Sequence, residues 1–377
     1  MTHPEPGSAL RLGFDYRAAL HNREGIGRAQ RESLGALLDL LQRQEPQTRV
    51  SVLAATWRAP RVDPSQRLDP QRVQRYLDWR LPARWAYGLS RASGGVARWL
   101  GGLDLFQGLA TQALWPGDCV AVATLFDLLF LEGPGRYLAA PAAGRMAQNL
   151  ERMLPRVRRL HVPSRHVAHS VATHLGWPLE RIDVLPLGGD GLRHVAPSPC
   201  RLPAGPFVLT VGRIDPRKNL LVGLQAFERL LERRPGLTWL LAGPAGYGAE
   251  EILPRLFAGP HAGRIQWRQQ VSDGELVSLY RACSAFFFPS LAEGFGLPPL
   301  EARHQGAPVA ASNSTSLPEY LTDGGCRLAD PQDATALCEA LEQALDLKRE
   351  DLPAYSGPTW AQAAELHWAA LRRALTT

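Results

Sequence analysis

Lysine is nearly absent from this chain. The 42 Lys and Arg residues include two lysines, Lys218 and Lys348, so positive charge is carried almost wholly by planar guanidinium groups and each ammonium stands out. Cysteine is scarce: Cys119, Cys200, Cys283, Cys326 and Cys338 are scattered and odd in number, with no C-x-x-C or His/Cys cluster, which argues against structural zinc and a disulfide framework. Nowhere do 18 uncharged apolar residues run together, so no spanning helix is expected. The opening MTHPEPGSALRLGFDY lacks a basic stretch followed by an apolar one, which reads as a cytoplasmic chain. No GxGxxG follows a strand with an acid at the proper distance, against a dinucleotide-dependent dehydrogenase. No helix-turn-helix, zinc-finger or RNP pattern supports nucleic acid as a partner.

What remains is a chain of 377 residues, 45% hydrophobic and 21% charged, long enough for two domains that each bury a core. Arg, Lys, Asp and Glu sum to about +8 through residue 195 and about −2 beyond it, so the first half is suited to meet something anionic.

Apolar runs alternate with longer amphipathic stretches in the first half. Strands are expected at 12–16, 50–54, 103–107, 120–124, 159–163 and 182–186, an alternation that favours a parallel, doubly wound sheet. After the first comes the turn Gly25-Ile26-Gly27, then a helix pattern over 29–41. Such a glycine turn before a helix either binds phosphate or is simple turn chemistry. Residues 58–101 mix arginines with Trp79, Trp85, Trp99 and several prolines. Val73, Tyr76 and Leu77 at helical spacing beside Arg72, Arg75 and Arg80 suggest either an interfacial helix on anionic lipid or a helical insertion with its tryptophans in the core. Proline and glycine over 191–206 mark a domain boundary, placing one domain at 1–195 and a second at 196–359. In the second, strands are expected at 207–211, 238–242, 264–267, 285–288 and 309–312. A last helix within 360–377 has the spacing to pack back on the first domain. Two such halves leave a cleft for ligand.

The stretch Pro289–Glu319 carries most of the chemistry. It leaves an apolar run (285–288), offers the carboxylate of Glu293, and turns through Gly294-Phe295-Gly296-Leu297. Pro298 and Pro299 suit the first turn of a helix, where a missing N–H costs nothing; that helix carries Glu301 and ends near Gly306. Glycines bring backbone N–H groups close to a ligand and a helix N-terminus favours phosphate or sugar oxygens, while the two acids serve better as acceptors for hydroxyls. Upstream, the strand at 207–211 empties into Gly212-Arg213-Ile214-Asp215-Pro216-Arg217-Lys218. Gly212 frees the turn, and Arg213 and Lys218 set two cations where a diphosphate would lie. A second glycine turn, from Gly243 to Gly248, shapes the nucleotide pocket.

GRIDPRKN, together with FPSLAEGFGLPPLEARHQGAPVAAS, resembles the donor-binding domain of glycosyltransferase family 4, retaining enzymes of the GT-B fold. The likeness extends to GIGR near the start, IDVLPLGGD before the boundary and the helix introduced by Trp360. It implies an α/β architecture of two Rossmann-like domains with parallel sheets facing a central cleft. It also implies that Arg213 and Lys218 hold the donor diphosphate, so that no metal and no cofactor is required. Glu301 would accept from the ribose hydroxyls. Glu293, with backbone N–H groups around Phe295, Gly296 and Leu297, would hold the donor sugar, and Gly25 and Gly27 would approach the phosphates from the other side.

Two positions depart from that family. Where relatives often carry His before Asp127 this chain has Phe126, and where they often read Phe-His-Gly it reads Phe106-Gln107-Gly108. Phe126 donates no hydrogen bond to a sugar, which opens the alternatives of a deoxy sugar, an altered donor pose or reduced activity. Asp127 is an acceptor-side acid, a positioning group or structural. His161, His166 and His169 are expected at a surface or helix face rather than at a metal. The resulting expectation is a hexosyltransferase using GDP-mannose or a UDP-hexose, acting on a glycan or lipid-linked acceptor in bacterial surface polysaccharide or lipopolysaccharide assembly. Peripheral contact with an anionic membrane goes with it. The rival is a weak or silent sugar-nucleotide-binding subunit.

Overall fold

The computed structural model describes residues 9–21, 25–54, 68–79, 82–133 and 135–376. These form two compact units. One comprises the described residues up to Glu132, then Ala140–Leu187 and the chain from Trp360 onward; the other comprises Gly133–Ala139 and Gly188–Thr359.

The first unit is built on seven parallel strands: β1 (Arg11–Asp15), β2 (Arg49–Leu53), β3 (Arg75–Leu77), β4 (Leu105–Leu109), β5 (Val120–Thr124), β6 (Arg159–Val162) and β7 (Ile182–Val184). Their order is β3-β2-β1-β4-β5-β6-β7. The second has six, β8 (Phe207–Val211), β9 (Thr238–Ala242), β10 (Ile265–Arg268), β11 (Ala285–Phe288), β12 (Val309–Ser312) and β13 (Cys326–Ala329), in the order β10-β9-β8-β11-β12-β13 and again all parallel. In both, the order reverses beside the unit's first strand. Because parallel crossovers are right-handed, that reversal puts successive helices on opposite faces and opens a crevice at the carboxyl ends of the two strands that flank it.

The apolar runs become central strands because both faces are covered. In β11 all four residues are buried; Phe287 faces Trp239 while Phe286 and Phe288 stack at 5.9 Å on the other side. In the first unit the helix Gly25–Gln44 lays Leu34, Leu37, Leu38 and Leu41 against the sheet. The last helix, Trp360–Thr376, adds Ala364, Trp368, Leu371 and Ala374 to the same cluster, a helical-face spacing that joins it to the first unit's core.

Several local expectations are corrected. Residues 73–77 are not a helix: β3 pairs with β2, Ser51 opposite Arg75 and Leu53 opposite Leu77, and three edge residues are too few to reveal a period of two. The edge strand β13 was likewise not anticipated. Gly25 and Gly27 do not form a turn ahead of a helix; they lie in the first turn of the helix itself, with Gly25 at φ +42° and exposed and Gly27 buried. The approach from 22 to 24, like Pro60, Pro64 and Arg80, lies outside the described residues. His161 is not at a surface. It points from β6 into the core at 1% exposure.

Candidate functional site

At the strand-order reversal of the second unit, β8 and β11 end side by side. Gly212 leaves β8 at φ +143°, and a Cβ there would meet Cε of Lys218 at 2.9 Å. A single 3-10 turn, Pro216–Lys218, follows, and the Asp215 side chain accepts from the backbone N–H of Lys218. This turn drives Lys218 inward until 5% of it is exposed. Its Nζ sits 2.8 Å from Oε1 of Glu293 and 4.3 Å above the Phe288 ring. Arg217, which the sequence reading passed over, donates to the other carboxylate oxygen of Glu293.

Glu293 is therefore clasped by two cations. Burial pushes its carboxyl up, but Arg217 and Lys218 outweigh burial and hold it below the usual carboxylate range. Burial and then Arg217 push the Lys218 ammonium below its ordinary value, with Glu293 and Asp215 opposing. A buried charge-assisted cluster of this kind is ordered before ligand arrives, which is what electrostatic work on a developing negative charge needs.

The loop that carries Glu293 is held by a second feature absent from the expectations, the hydroxyl run after β12. Ser312 donates to the Ser290 carbonyl at 2.6 Å, Ser314 to Leu291 at 2.9 Å, and Ser316 to both Glu293 and Phe295 at 2.9 and 3.0 Å. Thr315 accepts the backbone N–H of Glu293 at 2.9 Å. Ser-Asn-Ser-Thr-Ser directly after a buried strand was the signal available for it. Gly296, at φ +98°, opens the helix Leu297–His304. Because Pro298 and Pro299 have no N–H, Leu297 supplies the only donor of its first three positions. Phe295 packs on Tyr320 at 4.5 Å between centroids.

The remaining predicted residues fall in different settings. Glu301 is buried, and Tyr280 donates its hydroxyl proton to it at 3.1 Å. Arg213 is exposed, not buried like Lys218, and its stem crosses Gly246. Gly243, at φ +145°, lies against the Gly212 carbonyl, so the two glycine turns are in backbone contact. Asp127 belongs to the first unit, where its carboxylate accepts the N–H of Leu129 at 3.2 Å.

The first unit has its own concavity at the carboxyl ends of β1, β4, β5 and β6, a cavity of about 60 Å³ lined in part by Gln107, Phe126, His161 and His367. His367, from the last helix, donates from Nε2 to Gln107 at 2.6 Å and accepts at Nδ1 from Ser33 at 3.3 Å. His161 stands edge-on to it at 5.6 Å, with no hydrogen-bond partner among the described residues and Asp183 at 3.7 Å. Burial pushes His161 down to about 4, with Asp183 opposing, and pushes His367 down to about 3, with His161 adding to it. The unfolded chain takes up these protons near the ordinary histidine value of about 6.5, so it binds more protons than the folded chain below that pH. Stability is present in full above about pH 6.5 and lost as pH falls toward 4. The thermal midpoint should drop between about pH 7 and pH 5, less so in His367→Gln; a flat profile over that range refutes this account.

With this geometry in place, similarity to known proteins can be read. The two units, each built on one parallel sheet, have the architecture of the GT-B fold. Sucrose-phosphate synthase from Thermosynechococcus elongatus superposes with a TM-score of 0.66 at 17% identity, covering 97% of this chain and 95% of that one. Residues 202–356, which contain the whole Gly212–Lys218 and Pro289–Ser316 site, match the family Glycosyl transferases group 1. Residues 202–356 thus place the second unit in the glycosyltransferase superfamily.

Among named relatives, O-antigen chain mannosyltransferase B of Escherichia coli is 38% identical over 165 residues, 43% of this chain and 42% of that protein. The serotype-specific mannosyltransferase WbdA of Escherichia coli is 30% identical over 281 residues, 68% of this chain and 33% of the relative. The chain spans less than half the length of either.

Proposed function

We propose that this chain is a retaining hexosyltransferase of family 4 type. It moves mannose or a similar hexose from a nucleoside diphosphate sugar to a glycan or lipid-linked acceptor on the cytoplasmic side, in assembly of a bacterial surface polysaccharide such as lipopolysaccharide. The observation that carries the reading is the Arg217–Glu293–Lys218 cluster at the strand-order reversal, where an open α/β sheet binds its ligand. The site fits the donor in three parts. Lys218 and Arg217, with Arg213 at the exposed edge, offset the charge that builds on the diphosphate as the glycosidic bond breaks, so no metal ion is needed. Glu293, fixed between its cations, accepts from hydroxyls of the sugar. Glu301, oriented by Tyr280, accepts from the ribose.

Retention follows from attack on the face the diphosphate leaves, with a phosphate oxygen taking the acceptor's proton; orientation of the two reactants then supplies most of the rate. Relatives named as mannosyltransferases support mannose as the transferred sugar, and GDP-mannose is the donor proposed ahead of a UDP-hexose. A second reading, a weak or silent sugar-nucleotide-binding subunit, rests on Phe126, an apolar side chain on the wall of the first unit's cavity.

Lys218→Ala tests the diphosphate role. It should raise the Kd for the nucleoside diphosphate about tenfold to a hundredfold by calorimetry; an unchanged Kd removes the role. Turnover of a donor panel by the unaltered protein decides between transferase and silent subunit, the latter established by tight binding of GDP or UDP with no transfer.

A further inference from the structure

The helix Ala83–Ala92 turns the wrong side to water. Ala86 and Ser90 are buried, whereas Trp85, Gly88, Leu89 and Ala92 form one exposed stripe at helical spacing. Trp85 is 56% exposed and Leu89 45%, and Trp79 nearby in sequence is 41% exposed while leaning on Trp99. Large apolar side chains concentrated on one helix face are not the usual scatter of a soluble surface.

The other sides of this helix are anchored. Ser90 accepts the backbone N–H of Trp115 at 2.9 Å, and Tyr87 meets the Trp115 ring edge-on at 6.4 Å. Three exposed arginines are laid over those rings: Arg156 at 4.2 Å and Arg91 at 5.5 Å from Trp115, and Arg152 at 5.5 Å from Tyr87. Residues 83–99 and 140–156 together contain six arginines against one acid, Glu151. A folded protein partner could use the apolar stripe, but the arginines along its Tyr87–Arg91 flank ask for a surface that is negative throughout and apolar beneath. An anionic bilayer interface has both properties, and Trp and Arg are side chains that reside well at that boundary.

We infer that the helix Ala83–Ala92 is a membrane-surface docking face. Trp85 and Leu89 enter the headgroup region of an anionic leaflet, and Arg91, Arg152 and Arg156 engage lipid phosphates. It is a different element from residues 72–80, which the sequence pattern suggested and which β3 partly occupies. The inference is independent of the donor chemistry, and its test does not use turnover.

Sedimentation of the full chain with vesicles tests it. The protein should pellet with vesicles of equimolar phosphatidylglycerol and phosphatidylcholine and not with phosphatidylcholine alone, with binding that weakens as salt rises. Trp85→Ser combined with Leu89→Ser should weaken the anionic-vesicle partition about tenfold at an unchanged thermal midpoint. Arg152→Glu combined with Arg156→Glu should do so to a similar extent and flatten the salt dependence. Partition that neither double variant alters overturns the proposal. So does equal binding to neutral vesicles, or a lipid-free dimer that the Trp85/Leu89 variant dissociates.

Discussion

Glu293→Ala is expected to lower the proposed hexosyl transfer by two to three orders of magnitude, the size seen when one preorganised charged or donor group at a reacting centre is removed. The structure gives a second consequence. Lys218 is almost wholly buried and Arg217 is mostly covered, and their shared counter-ion is Glu293. Deleting the carboxylate removes the closest counter-ion of two neighbouring cations, with Asp215 farther off at 3.8 Å from Arg217, which should cost about 3 kcal/mol of stability in the second unit. Glu293→Gln separates the two effects. It keeps the volume and an acceptor oxygen, so it should restore part of the shape of the loop while leaving the charge uncompensated. Transfer kinetics and urea unfolding on both variants read this directly. Activity within tenfold of the unaltered protein would remove Glu293 from the donor site, and an unchanged urea midpoint in the alanine variant would mean that the clasp is not structural.

Gly243→Ala is expected to be the most destabilising single change at the site, by more than about 3 kcal/mol, with a fall in thermal midpoint of roughly 10 °C. Its φ of +145° is one that side-chain-bearing residues rarely adopt, and an added Cβ would lie 2.2 Å from the carbonyl oxygen of Gly212. Neither backbone can give way. The Gly212 N–H is bonded to Ala242 and the Gly243 N–H to Arg268, so a shift breaks the ladder across β8, β9 and β10. Gly212→Ala makes the informative contrast. At φ +143° it carries similar backbone strain, but its new methyl would meet the flexible end of Lys218 instead of backbone, so it should destabilise less than Gly243→Ala while displacing the ammonium and weakening donor binding. Thermal unfolding and nucleoside diphosphate affinity for the two variants check the pair. A midpoint for Gly243→Ala within about 2 °C of the parent would refute the steric account.

Much of the fold was legible because parallel strands buried on both faces leave uninterrupted apolar runs: Phe207–Val211, Thr238–Ala242 and Ala285–Phe288 are continuous in sequence and in the sheet. Two of the edge strands leave no such mark, unlike Ile182–Val184 and Ile265–Arg268 at the other edges, which were anticipated. Arg75–Leu77 and Cys326–Ala329 are short and only partly covered, so their residue types reflect one neighbour rather than two. At the site, glycines and acids were readable because few other side chains tolerate φ +98° or serve as carboxylate acceptors. Arg217 was not, since in a chain with so much arginine a further one carries little information, and only the 3-10 turn at Pro216–Lys218 decides which cation faces Glu293. The buried His161 was misread for a related reason: three nearby histidines suggest a shared setting, but one lies on a central strand and two on the helix Arg165–Leu175 that follows it.

The last helix also bears on the order of folding. Trp360–Thr376 packs into the first unit's core although 172 residues, Gly188–Thr359, separate it from Leu187, where that unit's preceding segment ends. Closing so long a loop in a disordered chain would cost about 2–3 kcal/mol more than closing one of ten residues. Within the second unit, however, the N–H of Gly189 donates to the carbonyl of Pro358 at 2.9 Å. Once that unit has folded, its first and last residues are already together, and the loop the first unit must close shrinks to the length of a turn. The second unit is thus an insertion that prepays the entropy of its host, and folding in which it forms first is the route of lower barrier.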